Sequence, residues 1–207
     1  MRYAVKNPIG REIQKPVWIE NDGKCAALAE LWKGNLSDVK NRAVIGLGTE
    51  IAGGIILNGA LYRGSNEIAG EFSSILTDFK NPNNEKRFGK IGGHKNLTDA
   101  YKDKKFAIDS YEQFEKYMDG DETAKEVIKD YARTIATGIV TIQSVLDTKK
   151  FCIGGGISVQ DILIAEIKDK VHDFYSIKFH EAVSELAIEK CILEIHQGVL
   201  VPIQFLD

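Results

Sequence analysis

The stretch RAVIGLGTEIAGGIILNGALYRG, residues 42–64, contains the pattern that decides the fold. Two apolar runs, AVIGL and GIIL, flank a glycine-rich turn, and Asn58-Gly59 separates the second run from ALY. Because an Asn-Gly pair between apolar runs is the strongest short hairpin signal, the stretch predicts a strand, a glycine turn, a strand, a hairpin and a third strand.

The residues before this stretch predict one more strand and a helix. PVWIE (16–20) is typical of a buried strand, with proline at its first position. Asn21 or Asp22 can cap a helix over GKCAALAELWKG (23–34), which Gly34 would end. A carboxylate and an amide therefore follow directly on a predicted strand end.

The residues after this stretch alternate between helical and extended patterns. Apolar residues recur every three or four positions in the best helix, 124–146. The other predicted elements are a loop with at most a short helix (80–105), a short helix (110–120), a strand entering a triple-glycine turn (150–158), a helix (159–174) and a strand (187–195). Strands alternating with long helices predict an α/β fold with a mixed sheet.

Composition narrows the class of protein. The chain has 207 residues, 43% of them hydrophobic and 28% charged, as in an ordinary globular domain. A net charge of −3 gives no reason to expect nucleic acid or an anionic membrane as partner. No apolar run approaches the roughly 18 residues of a membrane span, and the first residues lack the apolar stretch of a signal peptide.

The cysteines indicate a reducing compartment. Cys25, Cys152 and Cys191 are isolated and odd in number, so we expect neither a disulfide framework nor a cysteine-rich zinc site. A cytoplasmic location fits this pattern best.

Asn21 and Asp22 are the first candidate site residues. Asp can accept a hydroxyl proton, and Asn can donate to and accept from a polyol. Ligands in α/β folds bind at the carboxyl ends of strands, which is where these two residues are predicted to lie. The alternative is that one of them only caps the following helix.

Two glycine-rich segments are candidates for phosphate or nucleotide binding. In GLGTEIAGG (46–54), glycines would let backbone N–H groups approach an anion closely, and Thr49 adds a hydroxyl. In IGGGIS (153–158), a strand leads through glycines into a helix, a geometry that suits phosphate. The alternatives are an ordinary hairpin in the first segment and a tight turn in the second.

The segment GSNEIAGEFSS (64–74) carries two further acids, Glu67 and Glu71. A buried glutamate can bind two sugar hydroxyls through its two oxygens, whereas the alternative is a pair of solvated acids. His94 lies in a glycine-rich segment and could touch a ligand, but we expect it to be a surface residue.

Taken in order, these motifs resemble the ROK family, which groups bacterial sugar kinases with sugar-responsive repressors. The likeness lies in IENDGKCAALAE, in GLGTEIAGGIILNGALYRGSNEIAGEF and in FCIGGGIS, and runs from about residue 11 to about 165. It implies the large lobe of an actin-like, ribonuclease H-like sugar kinase over residues 1–207, with a mixed sheet packed with long helices. Members pair through this lobe, so a homodimer is expected.

The resemblance implies a role for each residue on the sugar side. Asp22 would be the general base that takes the proton from the sugar's primary hydroxyl, and it would also contact the sugar. Asn21 would hydrogen-bond neighbouring sugar hydroxyls, and Glu71 would hold ring hydroxyls near the anomeric end. Ser74 stands where the family usually has a histidine, and is assigned to the substrate side.

On the cofactor side, the resemblance implies ATP and Mg²⁺ with in-line phosphoryl transfer. Thr49, in a turn with Gly48 and Gly53, would face the ATP phosphates. The adenosine would pass near three consecutive glycines: Gly154, Gly155 and Gly156.

The chain also departs from the family pattern. The Asp-x-Gly-Gly-Thr phosphate motif of the small lobe, the final helix with its Gly-Ala turn and the cysteine-rich zinc segment are missing, so no structural zinc is expected. Glu50 and Ala52 replace glycines of the phosphate turn, and an acid there would repel phosphate oxygens. We therefore expect little or no kinase activity from this polypeptide alone.

Three hypotheses follow from the resemblance. The chain is part of an ATP-dependent hexose kinase, or a non-catalytic sugar-binding module or truncated remnant, or the effector domain of a ROK repressor. The third ranks last because repressors of the family carry a helix-turn-helix, and none is recognisable in the 207 residues.

Overall fold

The computed structural model describes residues 11, 12, 14, 19–107, 109–178 and 186–193. The described helices are α1 (Asp22–Lys33), α2 (Phe88–Gly92), α3 (His94–Lys104), α4 (Ser110–Met118), α5 (Glu122–Leu146) and α6 (Asp161–Lys178). The strands are β1 (Arg42–Leu47), β2 (Ile51–Leu57), β3 (Ala60–Leu61), β4 (Lys150–Gly154) and β5 (Ala187–Lys190). Short 3₁₀ turns cover Phe72–Ser74, Asn84–Lys86 and Gly156–Val159.

The strands form one mixed sheet in the order β3-β2-β1-β4-β5. β1 pairs with β2 antiparallel and with β4 parallel, and β4 pairs with β5 parallel. The predicted α/β fold with a mixed sheet is therefore confirmed. So is the hairpin, where Asn58 and Gly59 both have the positive φ of a type I′ turn, 54° and 81°.

Side chains that alternate along β1 divide the core between the two faces of the sheet. Ala43, Ile45 and Leu47 face the larger cluster, which includes buried residues of α5 and α6. Val44 faces the smaller cluster, together with Ala26 and Ala27 of α1. All six residues of β1 are buried, because helices cover both faces.

The region 80–105 is not the loop that its composition predicted. It contains α2 and the eleven-residue α3, and both pack into the core. Phe88 is 1% exposed, and Leu97 and Tyr101, four positions apart on α3, are fully buried. These few buried positions anchor helices that are otherwise rich in glycine and polar residues, so overall composition misled the prediction.

The other predicted elements agree with the structure, except for the strands predicted over 16–20 and 187–195, which extend beyond the described residues. The long helix predicted over 124–146 is α5, which Asp121 caps by accepting a hydrogen bond from the Ala124 N–H. The strand predicted over 187–195 is shorter, ending at Lys190, and 194–195 lie outside the described residues. Of the strand predicted over 16–20, 16–18 also lie outside them, and the last two residues are not in a strand.

Glycines allow α1 to lie directly on the backbone of β2. A Cβ on Gly23 would lie 2.5 Å from both the nitrogen and the oxygen of Gly53. A Cβ on Gly54 would lie 2.6 Å from the Ala27 Cβ and from the Gly23 oxygen. The first turn of α1 is therefore fixed against the start of β2, and this contact positions the residues described below.

Gly23→Ala tests this contact, because helix propensity and packing predict opposite signs. At an exposed helix position, alanine is more favourable than glycine by about 1 kcal/mol. The new methyl group would instead meet the backbone of Gly53, which has no flexible side chain to move aside. We expect the free energy of unfolding, measured by urea denaturation, to fall by about 1–3 kcal/mol.

Ser144→Ala is the matched control, since Ser144 lies on the exposed face of α5. It should change stability by at most a few tenths of a kcal/mol, about the difference in helix propensity. A Gly23→Ala chain as stable as the unsubstituted one would show that α1 does not approach β2 this closely.

Candidate active site

Asn21 connects the start of α1 to the distant Glu71. Its side-chain oxygen accepts a hydrogen bond from the Lys24 N–H at 3.1 Å, which is the N-cap of α1. Its side-chain nitrogen donates to Glu71 Oε1 at 3.0 Å. Capping was one of the two readings left open for Asn21. The structure shows that the same side chain caps the helix and also binds a residue 50 positions away.

Asp22 is the exposed carboxylate next to this contact. It is the first residue of α1, and its Oδ1 accepts a hydrogen bond from the Gly23 N–H at 2.7 Å. A carboxylate in the first turn of a helix is favoured by the helix dipole. Asp22 therefore lies one residue from the Asn21–Glu71 contact with its side chain open to solvent.

The loop before Glu71 turns sharply so that this carboxylate faces α1. Glu67 and Gly70 have positive φ angles of 60° and 85°. The Gly70 oxygen lies 2.5 Å from where a Cβ on Gly53 would be, so the loop is packed against β2. Glu71 is half-buried, whereas the Glu67 side chain is exposed. Of the two acids singled out in the sequence, the structure brings Glu71 to Asn21.

Three charged residues around Asn21 were missed in the sequence. Arg63 Nε donates to Glu20 Oε2 at 3.0 Å, and Glu20 Oε1 accepts from the Asn21 N–H at 2.9 Å. Lys24 Nζ lies 3.5 Å from Glu71 Oε1. Lys24 could have been noticed, because a cation in the first turn of a helix opposes the helix dipole and requires a local reason.

The turn between β1 and β2 is held by the start of α3. The Gly48 oxygen accepts a hydrogen bond from the His94 N–H at 2.9 Å and lies 3.0 Å from His94 Nδ1. His94 is therefore half-buried against the turn, so it is only partly the surface residue that was predicted. Thr49 at the tip of the turn is exposed, so its hydroxyl is open to a ligand.

Glu50 does not carry an uncompensated charge beside this turn. Its Oε1 lies 3.1 Å from Lys90 Nζ, and its Oε2 lies 3.9 Å from Arg87 Nη2. The expected repulsion of phosphate oxygens is therefore offset by two cations. The prediction did not include them because α2, which carries Lys90, was taken for a loop.

The second glycine segment lies beside the first. Gly154 is paired with Gly46 in the parallel register of β1 and β4, so the two strands end at the same edge of the sheet. Gly155 has φ of 97°, and Ser158 Oγ donates to its oxygen at 2.7 Å. The edge formed by parallel strand ends is where α/β folds bind ligands.

Two tyrosines fix the helices around this edge. Tyr117 of α4 donates to Glu166 of α6 at 2.6 Å, and this hydrogen bond raises the pKa of Tyr117 to about 12. Tyr131 of α5 donates to the Gly92 oxygen at 2.7 Å, next to the start of α3, and burial raises the pKa of Tyr131. Both hydroxyls therefore stay protonated near neutral pH and act as structural donors.

Two predicted site residues, Gly53 and Ser74, have contacts that belong to the packing and turns of the fold. A Cβ on Gly53 would meet the ring of Phe72, so this glycine is needed for packing, and a nucleotide contact for it stays a prediction. Ser74 is exposed at the end of a 3₁₀ turn, where its N–H donates to the Glu71 oxygen at 3.0 Å. Its assignment to the substrate also stays a prediction.

Within the described ranges, no group of three His, Cys, Asp or Glu side chains could hold a metal ion. The expected lack of structural zinc stays a prediction. A search of the same residues found no helix long and apolar enough to cross a membrane.

Comparison with known proteins decides the family. A family model described as the ROK family matches residues 2–200. The chain belongs to the ROK family. This assignment confirms the resemblance noted in the sequence motifs.

Among curated relatives, a β-glucoside kinase from Listeria innocua is 31% identical over 197 residues, which are 91% of this chain and 65% of that protein. A glucokinase from Halalkalibacterium halodurans is 29% identical over 190 residues, covering 80% of this chain and 57% of the relative. The chain thus spans between 57% and 65% of the length of these two relatives.

Solved ROK structures share the fold. A ROK glucokinase from Streptomyces griseus, in complex with glucose and AMPPNP, matches with a TM-score of 0.83 and 21% identity over 94% of this chain and 69% of that one. A ROK family protein from Streptococcus pneumoniae, in complex with sucrose, matches with a TM-score of 0.78 and 27% identity over 88% and 63%. The predicted actin-like fold is therefore confirmed.

Asn21→Asp tests the contact between Asn21 and Glu71. Aspartate caps a helix as well as asparagine does, so the hydrogen bond from the Lys24 N–H should remain. The donor to Glu71 is lost, however, and a second carboxylate faces Glu71 Oε1. We expect the free energy of unfolding at pH 7 to fall by about 1.5–3 kcal/mol, measured by urea denaturation.

Combining Asn21→Asp with Glu71→Gln should recover most of this loss, because the introduced amide can donate to the introduced carboxylate. Glu85→Gln, at an exposed position of the 3₁₀ turn Asn84–Lys86, is the control and should leave stability nearly unchanged. Equal stability of Asn21→Asp and the unsubstituted chain would contradict the hydrogen bond.

Proposed function

We propose that this chain contributes the sugar site and part of the nucleotide site of a ROK sugar kinase, which transfers a phosphoryl group from ATP to a sugar hydroxyl. The observation that carries the proposal is the Asn21–Glu71 hydrogen bond beside the exposed Asp22. The curated relatives support the substrate class, since they are kinases of β-glucosides, of glucose and of N-acetylmannosamine.

Each residue of the sugar site suits a separate task. The Asp22 carboxylate is exposed, so it can accept the proton of a sugar hydroxyl as that oxygen attacks phosphorus. Glu71 is fixed through Oε1, which leaves Oε2 to accept hydrogen bonds from ring hydroxyls. Asn21 holds Glu71 in place and adds a polar contact for neighbouring hydroxyls.

The glycine edge of the sheet fits a nucleotide. An added Cβ on Gly48 would meet the Glu50 oxygen at 3.3 Å, which is a tight contact, but it would have no other described atom within 4 Å. The exposed Thr49 hydroxyl would hold phosphate oxygens, and Gly154–Gly156 would leave space for the nucleoside. Bound Mg²⁺ would neutralise charge on the phosphates during transfer. The residues of the chain then position the sugar hydroxyl and remove its proton.

We further propose that the 207 residues alone turn over slowly or not at all. They contain no Asp-x-Gly-Gly-Thr segment, which in the family supplies the other half of the phosphate site. A non-catalytic sugar-binding module would use the same sugar site without turnover. Binding and turnover therefore have to be measured separately.

The central test is the binding of sugars by calorimetry. We expect the chain to bind at least one of glucose, N-acetylmannosamine and methyl β-glucoside. Glu71→Gln should weaken that binding about tenfold or more, the equivalent of about 1.4 kcal/mol for one lost charged hydrogen bond. Asp22→Asn should change affinity less, because Asp22 is assigned to proton transfer.

Glu67→Gln serves as the control and should bind sugar normally. Failure of all three sugars to bind, or unchanged affinity in Glu71→Gln, would contradict the sugar site. A coupled assay with ATP and Mg²⁺ should show at most trace turnover by the chain alone. Faster turnover that disappeared in Asp22→Asn would overturn the proposed inactivity and establish Asp22 as the base.

We also propose a homodimer. Phe79 and Leu76 are 90% and 41% exposed. Together with the buried Phe88 they line a groove of about 360 Å³ between the segment 75–79 and α5. Exposed apolar surface of this kind favours association.

Light scattering at tens of micromolar should give twice the mass of the 23.0 kDa chain. Phe79→Ser should shift the protein towards the monomer because it removes apolar contact area. Val145→Ser, at an 80% exposed position on α5, is the control and should not. A monomeric unsubstituted chain would refute the proposal.

A further inference from the structure

Lys24 is a buried cation with a defined set of partners. Its side chain is 1% exposed, although it lies in the first turn of α1 where the helix dipole disfavours positive charge. Nζ donates to the Glu67 oxygen at 2.9 Å and lies 3.5 Å from Glu71 Oε1. A buried charge is tolerated when it is paired and hydrogen-bonded, and these two partners meet both conditions.

The two contacts of Lys24 have different consequences. The hydrogen bond to the Glu67 oxygen ties the loop of residues 64–71 to α1 at the residue where the chain has a φ of 60°. The contact with Glu71 Oε1 places a buried cation against one oxygen of that carboxylate. A charged carboxylate only accepts hydrogen bonds, which is what the hydroxyls of a sugar require.

Both donors to the Glu71 side chain reach the same oxygen. Asn21 Nδ2 and Lys24 Nζ lie 3.0 Å and 3.5 Å from Oε1. The side chain of Glu71 is 39% exposed, and among the described residues none donates a hydrogen bond to its Oε2, so this oxygen can accept from a ligand. Two residues of one helical turn thereby fix which oxygen faces a ligand.

We infer that Lys24 is a positioning residue of the sugar site, which holds one oxygen of the Glu71 carboxylate and directs the other oxygen towards the sugar. Because the side chain of Lys24 is buried, it acts through Glu71 and does not touch the substrate. The inference rests on the proposed sugar-binding function and adds a residue that was not among the predicted site residues.

The charges around Glu71 predict what happens without Lys24. On α1, the remaining charged neighbour in the first turn is the acidic Asp22. The loop contributes the acidic Glu67. Before α1, Glu20 already forms an ion pair with Arg63. Removing the ammonium would therefore leave Glu71 among acids that repel it, and the carboxylate would be held less firmly in its present orientation.

Lys24→Met tests this, because methionine fills a similar volume without charge. Sugar affinity should be measured by calorimetry at neutral pH, using whichever of glucose, N-acetylmannosamine and methyl β-glucoside binds tightest. Lys24→Met should bind that sugar about three- to tenfold more weakly, since Glu71 Oε1 loses its contact with the ammonium. In a chain that already carries Glu71→Gln, the same substitution should cost little further affinity, because Lys24 acts through the Glu71 carboxylate.

Lys24→Arg keeps the charge and should recover most of the affinity. Lys33→Met, at the exposed last turn of the same helix, is the matched control and should bind sugar normally. If Lys24→Met does not fold, Lys24→Gln removes the charge and keeps a donor for the Glu67 oxygen. An equal loss of affinity with Glu71 and with Glu71→Gln would indicate a purely structural role and overturn the inference.

A second measurement separates this inference from the proposed function. Urea denaturation of the sugar-free chain can compare the effect of Lys24→Met on the free energy of unfolding with Glu71 and with Glu71→Gln. The effect should be smaller with Glu71→Gln, because the contact with the carboxylate is already lost there. Equal effects would refute the ion pair even if sugars bind. A smaller effect in a chain that binds none of the three sugars would support the ion pair and refute the sugar site.

Discussion

The contact between the first turn of α1 and the backbone of β2 is the constraint on which the candidate site depends. Gly23 and Gly54 lie so close that neither could carry a side chain without moving the helix. The preceding residue of β2, Gly53, is covered by Phe72 and the Gly70 oxygen. The helix and the loop are thus held against neighbouring residues of one strand, and Asn21 reaches Glu71 across a small gap. Larger residues at these glycines would separate the two halves of the site.

Charge compensation is the second feature that shapes the site. Each of the buried or half-buried acids near the sheet edge has a cation beside it: Glu20 has Arg63, Glu71 has Lys24, and Glu50 has Lys90. Isolated charges are costly away from water, so these pairs let several acids lie close together. The arrangement also changes the interpretation of Glu50. From the sequence alone, Glu50 was expected to oppose phosphate binding. In the structure its negative charge is offset by the ion pair with Lys90.

The sequence predicted the fold where local pattern and tertiary packing agree. The Asn58-Gly59 hairpin and the long amphipathic helix follow from rules that act over a few residues. The prediction failed for α3, because Leu97 and Tyr101 are the two buried residues of this otherwise mostly polar segment. The sequence predicted Asn21 and Glu71 as site residues, but not the bond between them. Contacts between residues 40 or 50 positions apart, such as that of Lys24 with Glu67, depend on the conformation of the loop of residues 64–71. No local sequence pattern predicts that conformation.

In the proposed function, different surroundings give the two carboxylates Asp22 and Glu71 two different tasks. Glu71 is held by an amide and an ammonium from one turn of α1, which suits a group proposed to hold a sugar in one orientation. Asp22 accepts a hydrogen bond from the Gly23 N–H and its side chain is open to solvent, which suits a group proposed to take up and release a proton in each cycle. The glycine contact that places α1 on β2 positions both carboxylates at once. Under the proposed function, a displacement of the helix would therefore weaken sugar binding and proton transfer together, whereas loss of Lys24 would act on binding alone.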